Sequence, residues 1–166
     1  MATASELLAV YRLARQAVYQ AADGLSQQDA VWKPTEHVKS IQELLVHVGG
    51  SERFWLSKLG YDVLDYPEDN ALEHTLAFLH EMKELVTSYV TAATPEQFNA
   101  PVSTDRGPLT LAWVLKRVTQ HMFYHLSTLV YLRRVREPSW DGEAGLSYWQ
   151  KAVDAFSELI PPENLS

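Results

Sequence analysis

The chain has 166 residues, 46% apolar and 21% charged, with no cysteine and a formal net charge of −7 from 14 basic and 21 acidic side chains. The length suits one domain over residues 1–166 with one sizeable core, and the composition argues against disorder and low complexity. The missing cysteines exclude disulfides, iron–sulfur clusters, Cys-ligated zinc and a Cys nucleophile, and the acidic balance argues against a nucleic-acid surface.

The expected elements are helices. Apolar residues at Leu7, Tyr11, Ala14, Val18, Ala21 and Leu25 form one stripe, which predicts a first helix from about Ser5 to Leu25, with Gly24 at its stop. A loop with Trp32 and Pro34 follows. Ser40-Ile41-Gln42-Glu43 reads as a capping box and opens a second helix to about Leu59, with Gly60 as its end. Gly49-Gly50 falls in the middle of that helix, at a cost of about 1–2 kcal/mol relative to alanines. That cost implies either a close packing neighbour or a local irregularity.

A longer loop, Tyr61 to Asn70, leads to a third helix from about Ala71 to Ala92, with Leu72, Leu76, Leu79, Met82, Val86 and Tyr89 inward. Phe98 to Pro108 reads as a loop. The fourth and longest helix runs from about Thr110 to Arg136 and is stopped by Pro138. Its basic end, Arg133, Arg134 and Arg136, is what the helix dipole favours. A turn with Gly142 and Gly145 precedes a short last helix bearing Leu146, Trp149, Val153 and Phe156. The expected fold is therefore all-α: a four-helix bundle plus a short C-terminal helix. No apolar run approaches the roughly 18 residues of a membrane span. With no secretory signal visible, the cytoplasm is the default compartment.

Chemistry enters on the fourth helix. Val114, Val118, His121, His125, Leu129 and Leu132 form its predicted inward stripe, which places two imidazoles at core positions about 6 Å apart along the axis. Buried imidazoles need partners, and the i, i+4 spacing suits two ligands of one metal. The spacing also fits histidines bonded to a tyrosine or a carbonyl, or facing a wet groove. His47, one turn past Glu43 on the second helix, lies at the edge of the same interior. Three neutral imidazoles from facing helices would make an open site for a divalent transition ion such as Zn, Ni, Fe, Co or Cu. His37 reads as a solvated loop residue, and His74 and His80 point to different sides of the third helix.

Trp32-x-Pro34, then Ser40-Ile41-x-x-Leu44-x-x-His47 with Glu52 and Trp55 beyond, and finally Gln120-His121-x-x-x-His125 with Leu129, Leu132 and Arg133, together resemble the DinB/YfiT-like family of metal-dependent bundle enzymes. The resemblance covers most of the chain but not the segment after Pro138. It implies a bundle whose second and third helices are joined by a crossover. It also implies metal ligation by His47, His121 and His125, and a homodimer. Some members of the family are thiol S-transferases and one is a thiol-dependent isomerase.

That chemistry agrees with the residues. A divalent ion can hold a thiol as its thiolate, and a chain without cysteine must receive that thiol as a cosubstrate. The thiolate would attack an electrophilic small molecule. The alternatives are hydrolysis by an ionised bound water, a metal-binding protein without turnover, and a dimeric interaction module. Glu43 is the first candidate for the carboxylate beside the site, against its plain role in the capping box. Arg117, one turn before His121, could bind a substrate carboxylate. Tyr11, Trp55, Trp113 and Tyr124 could line a pocket, although aromatics at helical spacing are more often core.

Overall fold

The computed structural model describes residues 2–142 and 147–159. Four long helices build the bundle: α1 (Ala4–Ala22), α3 (Ile41–Lys58), α4 (Leu72–Ala92) and α6 (Leu111–Arg136). Shorter elements are α2 (Gln27–Ala30), α5 (Pro95–Asn99) and a last helix, α7 (Ser147–Leu159). The bundle, its crossover and the C-terminal helix agree with the expectation from sequence. Leu146 and Gly145 lie outside the described residues.

The boundaries follow from local chemistry. Thr3 and Glu6 form a capping box at the start of α1. At α3 the predicted box is present: the Glu43 amide donates to Ser40 Oγ at 3.1 Å, and the Ser40 amide donates to Glu43 Oε2 at 2.8 Å. Thr110 caps α6 by accepting from the Trp113 amide. Gly60, at φ 82°, takes the left-handed conformation that ends α3 cheaply.

Contacts fix the directions of the helices. Gln42 donates to Thr75 Oγ1 at 3.2 Å near the starts of α3 and α4, and Gly49 meets Phe78 and Leu79 further along, so these two helices run parallel. Parallel neighbours need a long return, and residues 59–71 supply it. Arg53 Nε holds that crossover by donating to the Leu64 carbonyl at 2.7 Å, and Tyr89 OH holds it by donating to the Asp62 carbonyl at 2.7 Å. α6 runs antiparallel to α3, with His121 and His125 facing His47. It runs parallel to α1, where Arg133 Nη1 donates to the Ala21 carbonyl at 2.9 Å. Thus α1 and α3 sit on one diagonal of the bundle, and α4 and α6 on the other.

Two details depart from the sequence reading, and the alternatives left open at Gly49-Gly50 are resolved. Residues 98–108 are not only loop: α5 ends at Asn99, and Val102–Thr104 (β1) pairs antiparallel with Gly107–Leu109 (β2). Strands of three residues are too short to show alternation, and Pro108 hides the signal further. Gly49 and Gly50 are explained by close approach. A Cβ on Gly49 would lie 2.6 Å from the Phe78 ring, and one on Gly50 would lie 2.9 Å from Tyr66. Finally, Arg133 and Arg136 are spent inside the molecule. Arg133 packs over Trp140, and Arg136 donates to Asp29 at 2.6 Å, which ties the end of α6 to α2.

The core comprises the inward faces of the four long helices, with α7 laid against α1 and α6. Phe123 meets Trp149 and Phe156 edge-on, and Ala152 is fully buried. The core also contains a charged pair that the sequence reading missed. Arg15 of α1 and Glu52 of α3 are both wholly buried and joined by a hydrogen bond, and Tyr11 OH donates to the same Glu52 oxygen at 2.9 Å.

Candidate metal centre

His47 stands in the middle of α3, one turn inside its capping box, and His121 and His125 stand on successive turns of α6. The antiparallel packing of α3 and α6 brings the three rings together. His121 Nε2 lies 3.2 Å from His47 Nε2 and 3.1 Å from His125 Nε2, and the three ligand atoms all fall within 4.8 Å of one another. The rings meet edge-on, with centroids 4.4–4.8 Å apart.

Those separations can be compared with coordination. A metal–nitrogen distance near 2.05 Å places two ligand nitrogens about 2.9 Å apart at a right angle and about 3.3 Å apart at the tetrahedral angle. The two separations from His121 Nε2 fall between these values, as expected of ligands to one small divalent ion. No Cys, Asp or Glu joins the group among the described residues, which leaves further coordination positions to solvent or substrate.

The electrostatics favour neutral rings, the form that binds metal. Burial, then His125, His47 and Arg117, pull the pKa of His121 down to about 4. Burial and Lys39 lower that of His47, while burial, His47 and Lys39 lower that of His125. His121 Nδ1 is buried without a hydrogen-bond partner, so no protein acceptor orients that ring.

The histidines do not occupy the centre of the buried face, as the stripe through Val114 and Leu132 had implied. His121 and His125 are half-buried and His47 is exposed. The fully buried turns of α6 centre on Leu115, Met122 and Leu126, about 80° further round the helix. The predicted stripe is one edge of a wide buried arc, because α6 packs against α1, α3 and α7 together. That edge faces the α3 seam and opens to solvent, so the readings of a metal site and of a wet groove describe the same place.

His47 also lines a surface cleft of about 500 Å³, beside Lys33, Lys39, Glu43 and Tyr66. Glu43 is present in this cleft but apart from the rings. Its Oε2 accepts from the Ser40 amide and its Oε1 accepts from Lys33 at 2.7 Å, and these bonds hold its pKa low. Arg117 is exposed. Trp55 meets Trp113 edge-on with centroids 5.0 Å apart, Tyr124 packs against His125, and Tyr11 is buried on Glu52. His74 pairs with Asp69 at 2.8 Å, His37 lies beside Glu36, and His80 is exposed, so none of these three joins the centre.

Residues 11–129 match the sequence profile of the DinB superfamily. The chain belongs to this family. The matched span includes all three histidines and leaves α7 outside. No curated protein matches the sequence. Among solved structures, the chain is similar to the crystal structure of the conserved protein of locus from Enterococcus faecalis, at 18% identity and a TM-score of 0.61. The similarity covers 81% of this chain and 96% of that one. At that identity the likeness supports the fold.

The family and the three-His group fit a metal-binding DinB-like protein. No described helix is long and apolar enough to cross a membrane.

Proposed function

We propose that Nε2 of His47, His121 and His125 hold one divalent transition ion, with Zn, Ni or Fe first, and that the site transfers a small-thiol cosubstrate to an electrophilic compound. The convergence of three imidazoles with lowered pKa values, one of which lines an open cleft, carries this reading. The ion would supply a Lewis-acid position at which a thiol is held as its thiolate near neutral pH. With no cysteine in the chain, the sulfur must come from outside.

The protein's own part is placement. The rims of α3 and α6 would hold the sulfur and the acceptor carbon within reach of each other, where orientation contributes most to rate. A C–S bond forms as the bond from carbon to the leaving group breaks. The thiol proton passes to solvent, and the leaving group departs with its electron pair. Glu43 is proposed as the carboxylate that orients Lys33 at the cleft wall. Its lowered pKa suits that role better than proton abstraction near neutral pH. We further propose a cytoplasmic protein, where thiols stay reduced, and a homodimer that uses the exposed Tyr124 and Tyr131 of α6.

The test is metal content by mass spectrometry, on protein purified without chelator or nickel resin. About one equivalent in wild type, lost in His47→Ala, His121→Ala and His125→Ala, is expected. Protein that stays metal-free after added Zn, Ni or Fe would overturn the reading.

A further inference from the structure

The cleft beside His47 has a charge character opposite to that of the whole chain. The protein carries a net charge of −7, yet this wall presents Lys33 and Lys39 against Glu43 alone. Lys33 is spent on Glu43, with its Nζ 2.7 Å from Oε1. Lys39 makes no ion pair among the described residues. It lines the same cleft as His47, so a ligand that reaches that ring from the cleft passes beside its ammonium. Tyr66 and Val46 supply apolar walls, and Gln42 adds a polar group.

We propose that Lys39 determines specificity in this cleft by binding a carboxylate carried by the thiol whose sulfur is presented to the three imidazoles. This rests on the thiol-transfer reading above and narrows it to anionic thiols. A single unpaired ammonium can satisfy one carboxylate as a point charge. Lys39 lies just before the Ser40 cap, and His47 stands six positions past Ile41, about 9 Å along the α3 axis, so the carboxylate must sit several bonds from the sulfur. In a protein otherwise acidic, a local cation at the cleft also draws anionic ligands toward the site.

The experiment uses the full chain loaded with one equivalent of Co(II) and two probes of equal length, 6-mercaptohexanoate and 6-mercaptohexan-1-ol. Binding is followed by calorimetry and by sulfur-to-cobalt absorption. Wild type is expected to bind the carboxylate about five- to ten-fold more tightly than the alcohol. Lys39→Gln should bring that ratio to about one, with alcohol affinity and cobalt content unchanged. Lys39 is exposed and outside α3, so the variant should fold normally. Equal affinities in wild type, or a preference that survives in Lys39→Gln, would overturn the role of Lys39 while leaving thiol binding intact. Failure of both probes to bind would remove the thiol reading itself and this proposal with it.

Discussion

Arg15 and Glu52 offer the sharpest test of how this bundle is held together. Both are fully buried, one on each of the diagonal helices α1 and α3, and Glu52 Oε1 accepts from both Arg15 and Tyr11. Arg15 Nε and Nη1 and Glu52 Oε2 have no protein partner. The space beside Glu52, lined by Leu56, Val86 and Val118, has no room for a water molecule. Burial pushes the Glu52 carboxyl up, against the pull of Arg15 and Tyr11. The network is therefore only partly satisfied, and removing one ion leaves the other nearly uncompensated. Arg15→Met or Glu52→Leu alone should cost about 3–5 kcal/mol. For a chain of this size that lowers the melting temperature by about 6–20 °C. The double variant Arg15→Met/Glu52→Leu replaces both charges with apolar groups of similar length, and its stability should return near or above wild type. Urea titrations of the four proteins, followed by tryptophan fluorescence, give the coupling energy directly. Single variants within about 1 kcal/mol of wild type, or a double variant equal to the sum of the singles, would refute the reasoning.

The adjacent glycines of α3 should separate. Gly49→Ala drives a methyl into Phe78 and Leu79, which are buried, and should lower the unfolding free energy in a urea titration by about 1–2 kcal/mol after the gain in helix propensity. Gly50→Ala meets only the half-exposed ring of Tyr66, which can swing aside, and should be neutral or slightly stabilising in the same titration. Chelated protein should lose stability as pH falls from about 6.5 toward 4, because the native His121 pKa is about 4 against an ordinary value of 6.5 and the unfolded chain takes up more protons in that window. Urea midpoints across that range should show a shallower slope in His121→Asn. An unchanged slope would mean that the ring does not carry the effect.

Much of the architecture was legible because the signals were strong and local. The Ser40–Glu43 box, the Gly60 stop and the long apolar stripes placed the four helices to within a few residues. The hairpin at 102–109 was not legible, because three-residue strands have too little pattern to show. The Arg15–Glu52 pair was missed for a different reason. A charged residue on a helix reads as solvated until a tertiary partner is known, and this partner lies 37 residues away on the diagonally opposed helix. Arg15 lies one turn past Tyr11, so continuing that stripe by one position would have flagged it. The histidines were found by spacing, but their depth was not, because the width of the buried arc on α6 depends on how many helices surround it.

That difference in depth bears on function. Imidazoles at the centre of the core would be closed to ligands, whereas the edge position leaves them partly exposed, with His47 on the cleft, while neighbours hold α3 in place. Phe78 packs on Gly49, Tyr66 packs on Gly50, and Glu52 reaches across the core to Arg15. The three contacts fall at residues 49, 50 and 52, within a turn and a half of His47. A site with no buried acceptor for His121 Nδ1 cannot rely on hydrogen bonds to aim its rings, so backbone rigidity must do that work. Gly49, which weakens α3 as an isolated helix, thus lets Phe78 and Leu79 approach closely enough to fix it where the three nitrogens converge.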